Sequence, residues 1–140
     1  MKLFLDTSVL LAAAGSAKGA SRFVFLRAKV QGWHLLSSPY CVEETERNVR
    51  KLGPRAAPCW RASLLPDLAL VPTELAFDKA LIFPKAKDRP VLLSALGAEA
   101  DVLLTLDEAD FQKVIGFQVY GLQVRSPGQF LIDQREAGLI

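Results

Sequence analysis

The sequence predicts an α/β fold, a single domain over residues 1–140 in which a parallel sheet lies between two layers of helices. Two observations carry this. Short apolar runs of strand length alternate with helical stretches along the whole chain, and strands separated by helices pair in parallel through right-handed crossovers. A chain of 140 residues, 51% of them hydrophobic, also has enough apolar surface to build one core without disulfides or a structural zinc.

Lys2-Leu3-Phe4-Leu5 is a short apolar run closed by an acid, Asp6, as a buried parallel strand would be. Thr7 and Ser8 offer capping hydroxyls to a helix that starts at Val9, Leu10 and Leu11. After a loop at Gly15–Gly19, Ala20–Val30 reads as a helix with Phe23, Leu26 and Val30 on one face, stopped by Gly32. Trp33–Leu36 is the second strand. Ser37 and Ser38 are candidate caps for a helix over Tyr40–Leu52, where Glu43–Arg47 and Glu46–Arg50 are (i, i+4) pairs on the outer face. Gly53-Pro54 ends that helix. Pro58–Leu65 forms a further short helix and Leu68–Val71 a third strand, and Thr73–Lys87 holds a short helix and a loop. Pro90 suits the first turn of a helix capped by Asp88 or Arg89 that runs to Leu96 and closes at Gly97. Asp101–Thr105 is the fourth strand, Asp107–Val114 an acid-headed helix, Phe117–Val124 the fifth strand, and Pro127–Ala137 the closing helix.

Charge is unevenly spread. Lys18–Arg61 holds nine basic and three acidic residues, a balance of +6, against −4 for the remainder and +2 for the chain. A basic rim around an acidic pocket would have this distribution, and so would a set of solvated helix faces. Cys41 and Cys59 have no CxxC spacing and no histidine cluster beside them, so they read as core fillers of a reduced, cytoplasmic protein. No signal peptide is read, because Asp6 interrupts the opening apolar run, and no stretch of 18 apolar residues could span a membrane.

In an open α/β sheet, ligands collect at the carboxyl ends of the strands, where the strand order reverses. Asp6 directly follows the first strand, and Asp107 lies just past the fourth. Either acid alone reads as a helix cap, which is far commoner than a ligand. Together, at two strand ends, they favour a site. Carboxylates without a catalytic histidine or cysteine suit a hard cation, Mg²⁺ or Mn²⁺, which lowers the pKa of bound water and offsets charge on a transferred phosphoryl group.

Four segments resemble the blocks of PIN-domain nucleases. Asp6-Thr7-Ser8-Val9-Leu10 is similar to the opening block; Ser38–Val49, with Glu44 six residues after the Ser, to the second; Lys87-Asp88-Arg89-Pro90-Val91-Leu92 to the third; and Leu104-Thr105-Leu106-Asp107, followed by Asp110-Phe111, to the fourth. Ser126-Pro127-Gly128-Gln129-Phe130-Leu131 resembles the ending of one subgroup. The likeness spans nearly the whole chain, with Leu106 standing where the family more often has Gly.

The resemblance implies a three-layer α/β/α sandwich whose five parallel strands are ordered 3-2-1-4-5. It also implies one or two Mg²⁺ or Mn²⁺ ions, with Asp6 and Asp107 as direct ligands, Asp88 binding directly or through water, and Glu44 positioning water or a second ion. In-line attack of activated water on an RNA phosphodiester would leave a 5′-phosphate and a 3′-hydroxyl. Thr7, Ser8 and Thr105 are candidates to orient the carboxylates. Arg89 is a candidate to hold substrate, and Asp110 reads as a fifth acid or as surface. Glu43 and Glu44 point about 100° apart on a helix, so one of them faces the pocket, and Glu44 is preferred because Glu43 can pair with Arg47. A homodimer and an antitoxin partner are further expectations of the resemblance.

Elsewhere, His34 reads as a strand residue, Trp33, Trp60 and Tyr40 as buried rather than stacking on bases, which their rings could also do, and Arg47, Arg50, Lys51, Arg55 and Arg61 as possible phosphate contacts. Two other functions compete: a PIN-like RNA-binding module without turnover, and an α/β phosphohydrolase acting on small phosphates. Ser8 stands where a DxDx[TV] phosphatase would carry its second acid, which counts against the latter.

Overall fold

The computed structural model describes residues 1–79, 86–116 and 118–140. The chain runs β1 (Lys2–Leu5), α1 (Thr7–Gly15), α2 (Ala20–Gln31), β2 (His34–Ser37) and α3 (Pro39–Asn48), which tightens into a 3₁₀ turn over Val49–Leu52. A short helix α4 (Ala56–Cys59) continues as one π turn (Trp60–Leu64) and a 3₁₀ turn (Leu65–Asp67) into β3 (Ala69–Leu70). Then follow α5 (Asp88–Gly97), β4 (Val102–Leu104), α6 (Glu108–Ile115), β5 (Gln118–Val119), β6 (Leu122–Arg125) and α7 (Pro127–Glu136). Among the described residues, no single helix is long and apolar enough to cross a membrane.

All six strands join one sheet in the order β3-β2-β1-β4-β6-β5. The 3-2-1-4 half of the expected order is present, with every pair in it parallel. The expected fifth strand, Phe117–Val124, is instead a hairpin. β6 pairs with β4 in parallel, and β5 folds back on β6 as an antiparallel edge, so the sheet is mixed. The turn explains the difference: Tyr120 and Gly121 have φ of 46° and 84°, the two positive values that a two-residue type I′ hairpin requires. Phe117 itself lies outside the described residues, as does 80–85 of the helix and loop expected over Thr73–Lys87; the described parts, 73–79 and 86–87, form no helix.

The core is apolar on both sides of the sheet. β1 supplies Leu3, Phe4 and Leu5 and β4 supplies Leu103 and Leu104, all fully buried, with Val9 and Leu10 of α1 and Phe111 of α6 against them. Trp33 packs edge-on against Phe130 of α7 with ring centroids 5.0 Å apart. Trp60, also fully buried, donates its indole N–H to Glu46 Oε1 at 2.9 Å. That bond occupies Glu46, and among the described residues neither expected pair, Glu43–Arg47 or Glu46–Arg50, forms an ion pair. Helix α2 stops at Gly32 in the left-handed conformation (φ 70°) as expected. It buries Ser21, Val24, Phe25 and Ala28, however, and leaves its other apolar face, Phe23, Leu26 and Val30, in solvent.

Candidate metal and nuclease site

The topological switch lies at β1, which pairs with β2 on one side and β4 on the other. Leu5 is in register with Leu104, so the residues after them, Asp6 and Thr105, emerge side by side at the carboxyl edge. A cavity of about 200 Å³ opens there, lined by Asp6, Thr7, Ser8, Leu11, Tyr40, Glu44, Lys87, Asp88, Val91 and Asp107. The four acids expected from sequence thus face one hollow.

Asp6 is held most tightly. It is the N-cap of α1, and its Oδ1 accepts the N–H of Thr7 at 2.7 Å. Its Oδ2 accepts the hydroxyls of Ser8 (3.1 Å) and Thr105 (2.8 Å). Those hydroxyls also accept: Ser8 Oγ takes the N–H of Leu106 at 3.1 Å, and Thr105 Oγ1 takes the N–H of Asp107 at 3.0 Å. Ser8 and Thr105 therefore orient the first carboxylate and the turn that carries the last one together. Leu106 needs no glycine-like backbone: among the described residues, the non-glycine ones with positive φ are Glu99 and Tyr120. Thr7 differs from expectation. Its hydroxyl is directed to the Cys41 carbonyl at 3.5 Å, and only its backbone N–H serves Asp6.

Asp107 sits at the N-cap of α6 but makes no side-chain cap bond, and its carboxylate lines the cavity instead. Asp88 occupies the first turn of α5, after Lys87, and is buried. Glu44 lines the cavity from α3, half-buried, whereas Glu43 is exposed and outside it. Tyr40 stands one helical turn before Glu44 on the same wall; it is half-buried at the cavity rather than in the core. Lys87, not Arg89, is the basic residue of the wall; the Arg89 guanidinium reaches the Leu75 carbonyl at 3.4 Å. Asp110, half-buried, does not line the cavity, and Arg47, Arg50, Lys51, Arg55 and Arg61 are exposed away from it. Of the lining residues, the sequence pattern did not single out Leu11, Lys87 or Val91 for the site, and it favoured burial for Tyr40.

Burial pushes the Asp6 carboxyl above the ordinary aspartate range; the bonds from Thr105, Ser8 and Thr7 pull it down, and the Asp107 charge adds a smaller upward push. Crowding of like charges is thus the lesser cause. Burial, followed by the Glu44 charge, likewise raises the Tyr40 phenol, and burial raises the Cys41 thiol. The donors are all oxygens and the hollow is open to water, which fits Mg²⁺ or Mn²⁺. Among the described residues no three acidic, histidine or cysteine side chains are gathered into a complete shell. Two carboxylates with water filling the remaining positions is an ordinary way to hold Mg²⁺.

The model of the PIN domain matches residues 2–109, from β1 through the start of α6, and so takes in all four acids. The chain belongs to the PIN-domain family. Members of this family are in general nucleases that use divalent metal ions. The PIN fold is also that of the crystal structure of VapBC2 from Rickettsia felis bound to a DNA fragment from their promoter, with a TM-score of 0.62 and 17% identity over 90% of this chain and 98% of that one. No curated protein sequence matches the chain.

Proposed function

We propose that this PIN domain is a Mg²⁺- or Mn²⁺-dependent endoribonuclease. One observation carries the reading: Asp6, Glu44, Asp88 and Asp107, from four separate elements, line a single cavity at the switch point of the sheet. The ion, when bound, lowers the pKa of attacking water and offsets the charge developing on the phosphate. Asp6 and Asp107 hold it, Asp88 does so directly or through water, and Glu44 orients the water or a second ion. The Ser8 and Thr105 hydroxyls fix the Asp6 oxygen so that it does not reorganise during the reaction. Compact PIN domains often act as toxins, and the match to VapBC2 supports an antitoxin as the partner of this chain. The exposed Phe23, Leu26 and Val30 of α2 offer such a partner an apolar surface, and a homodimer is the proposed assembly.

The test is cleavage of a generic RNA in Mn²⁺ by wild type and Asp6→Asn. Wild type should cut, and the variant should lose at least about a hundredfold in rate. Equal activity in the two would expose a contaminant, activity on mononucleotides alone would favour a phosphohydrolase, and no cleavage with retained RNA binding would favour a binding module.

A further inference from the structure

Two polar side chains of the cavity wall neither hold an ion nor orient a residue that does. Tyr40 and Lys87 come from different segments, the first turn of α3 and the residue before α5, yet both line the hollow that contains the four acids. Tyr40 is fixed in place. It follows Pro39 at the start of α3, and its backbone N–H donates to Thr73 Oγ1 at 3.2 Å. Its phenol hydroxyl has no hydrogen-bond partner among the described residues, so a donor faces the hollow without a protein acceptor. Lys87 is exposed and, among the described residues, is the one basic side chain of the wall; it forms no ion pair there in spite of the surrounding carboxylates.

A site made of acids alone repels a polyanion. One divalent ion offsets two carboxylate charges, while the phosphate next to the scissile one still meets the others. We infer that Tyr40 and Lys87 grip that neighbouring phosphate, Tyr40 by donating its hydroxyl to a phosphate oxygen and Lys87 by pairing its ammonium with the same group. The inference rests on the cavity being a nuclease site. Its consequence is a minimum substrate. A strand needs two consecutive phosphates, one to be cut and one to be held, so a trinucleoside diphosphate is cut well and a dinucleoside monophosphate poorly.

The test uses wild type, Tyr40→Phe, Lys87→Gln and Lys87→Arg, each checked for an unchanged melting temperature. Binding of a fluorescein-labelled single-stranded RNA decamer is followed by anisotropy in Ca²⁺, which takes the same oxygen ligands, and cleavage is followed in Mn²⁺. Tyr40→Phe and Lys87→Gln should each weaken binding about tenfold. Lys87→Gln alone should also flatten the slope of log Kd against log salt by about 0.7, and Lys87→Arg should restore it. Affinity and slope unchanged in both variants, or wild type cutting the dinucleoside as well as the trinucleoside, would overturn the inference while leaving the nuclease reading intact. Wild-type binding with these dependences but no cleavage in Mn²⁺ would sink the nuclease reading and leave the phosphate grip standing.

Discussion

Asp6 uses one oxygen to cap α1 and offers the other, braced by two hydroxyls, to the cavity. A helix cap and a metal ligand are therefore one residue here, and the commoner explanation did not exclude the rarer. The raised Asp6 carboxyl has a consequence for stability. Folded Asp6 holds its proton more tightly than unfolded Asp6, so the metal-free protein loses stability as pH rises from the ordinary aspartate value through the raised one, and the loss is constant above that window. Asp6→Asn keeps the cap acceptor and has no proton to lose. Urea midpoints measured in EDTA should then fall with pH in wild type relative to Asp6→Asn; parallel curves would refute the effect of burial. The hydroxyls are testable separately. Thr105→Val leaves the buried Asp6 oxygen with one donor fewer, so it should destabilise by about 1–3 kcal/mol in urea titration and slow RNA cleavage about 10–100-fold.

Helices α1, α5 and α6 each present an acid at or within the first turn, and α3 presents Glu44 after its first turn, because a helix that follows a parallel strand starts at the carboxyl edge of the sheet. Their positive ends soften the repulsion among four carboxylates. This is why Asp6 and Asp107 were legible in the sequence: each is placed by its distance from a strand end, and distance along the chain can be counted, whereas Glu44 and Asp88 were legible only through the resemblance of their segments to the family's blocks. The 100° step of a helix left room for only one of Glu43 and Glu44 at the pocket; the reason for choosing Glu44, a Glu43–Arg47 ion pair, does not form among the described residues, yet Glu44 is the one that lines the cavity. What could not be counted was the direction of a second apolar face. Helix α2 carries two, and only packing against its neighbours decides that Val24, Phe25 and Ala28 go inward. The hairpin was missed although its signal is present: the apolar positions change phase at Tyr120-Gly121, from Phe117 and Val119 to Leu122 and Val124, as two strands joined by a two-residue turn require. Gly121→Ala tests that turn. Nothing lies within 4 Å of the added carbon, so only the backbone at φ 84° is strained. A loss of about 1–2 kcal/mol is expected in thermal unfolding, and an unchanged midpoint would mean that the turn is not held as described.

At the scale of the whole molecule, the sheet brings Asp6 and Asp107 to adjacent strand ends although the chain between them makes most of the fold. Folding therefore concentrates negative charge that the unfolded chain keeps dispersed, and part of the stability is spent on doing so. An ion bound only by the folded state returns it. By linkage, the gain is about 2.7 kcal/mol when the free ion is at a hundred times its Kd, or roughly 10 °C in melting temperature for a chain of this length. Millimolar Mn²⁺ should raise the melting temperature of wild type, and the rise should grow with the logarithm of its concentration. Asp107→Asn removes one of the two proposed direct ligands from a residue with no capping bond to lose, so it should abolish most of the rise without lowering the metal-free melting temperature. A rise of the same size in Asp107→Asn would place the ion elsewhere on the molecule. No rise in wild type would mean that the four acids, though gathered, do not bind a divalent cation.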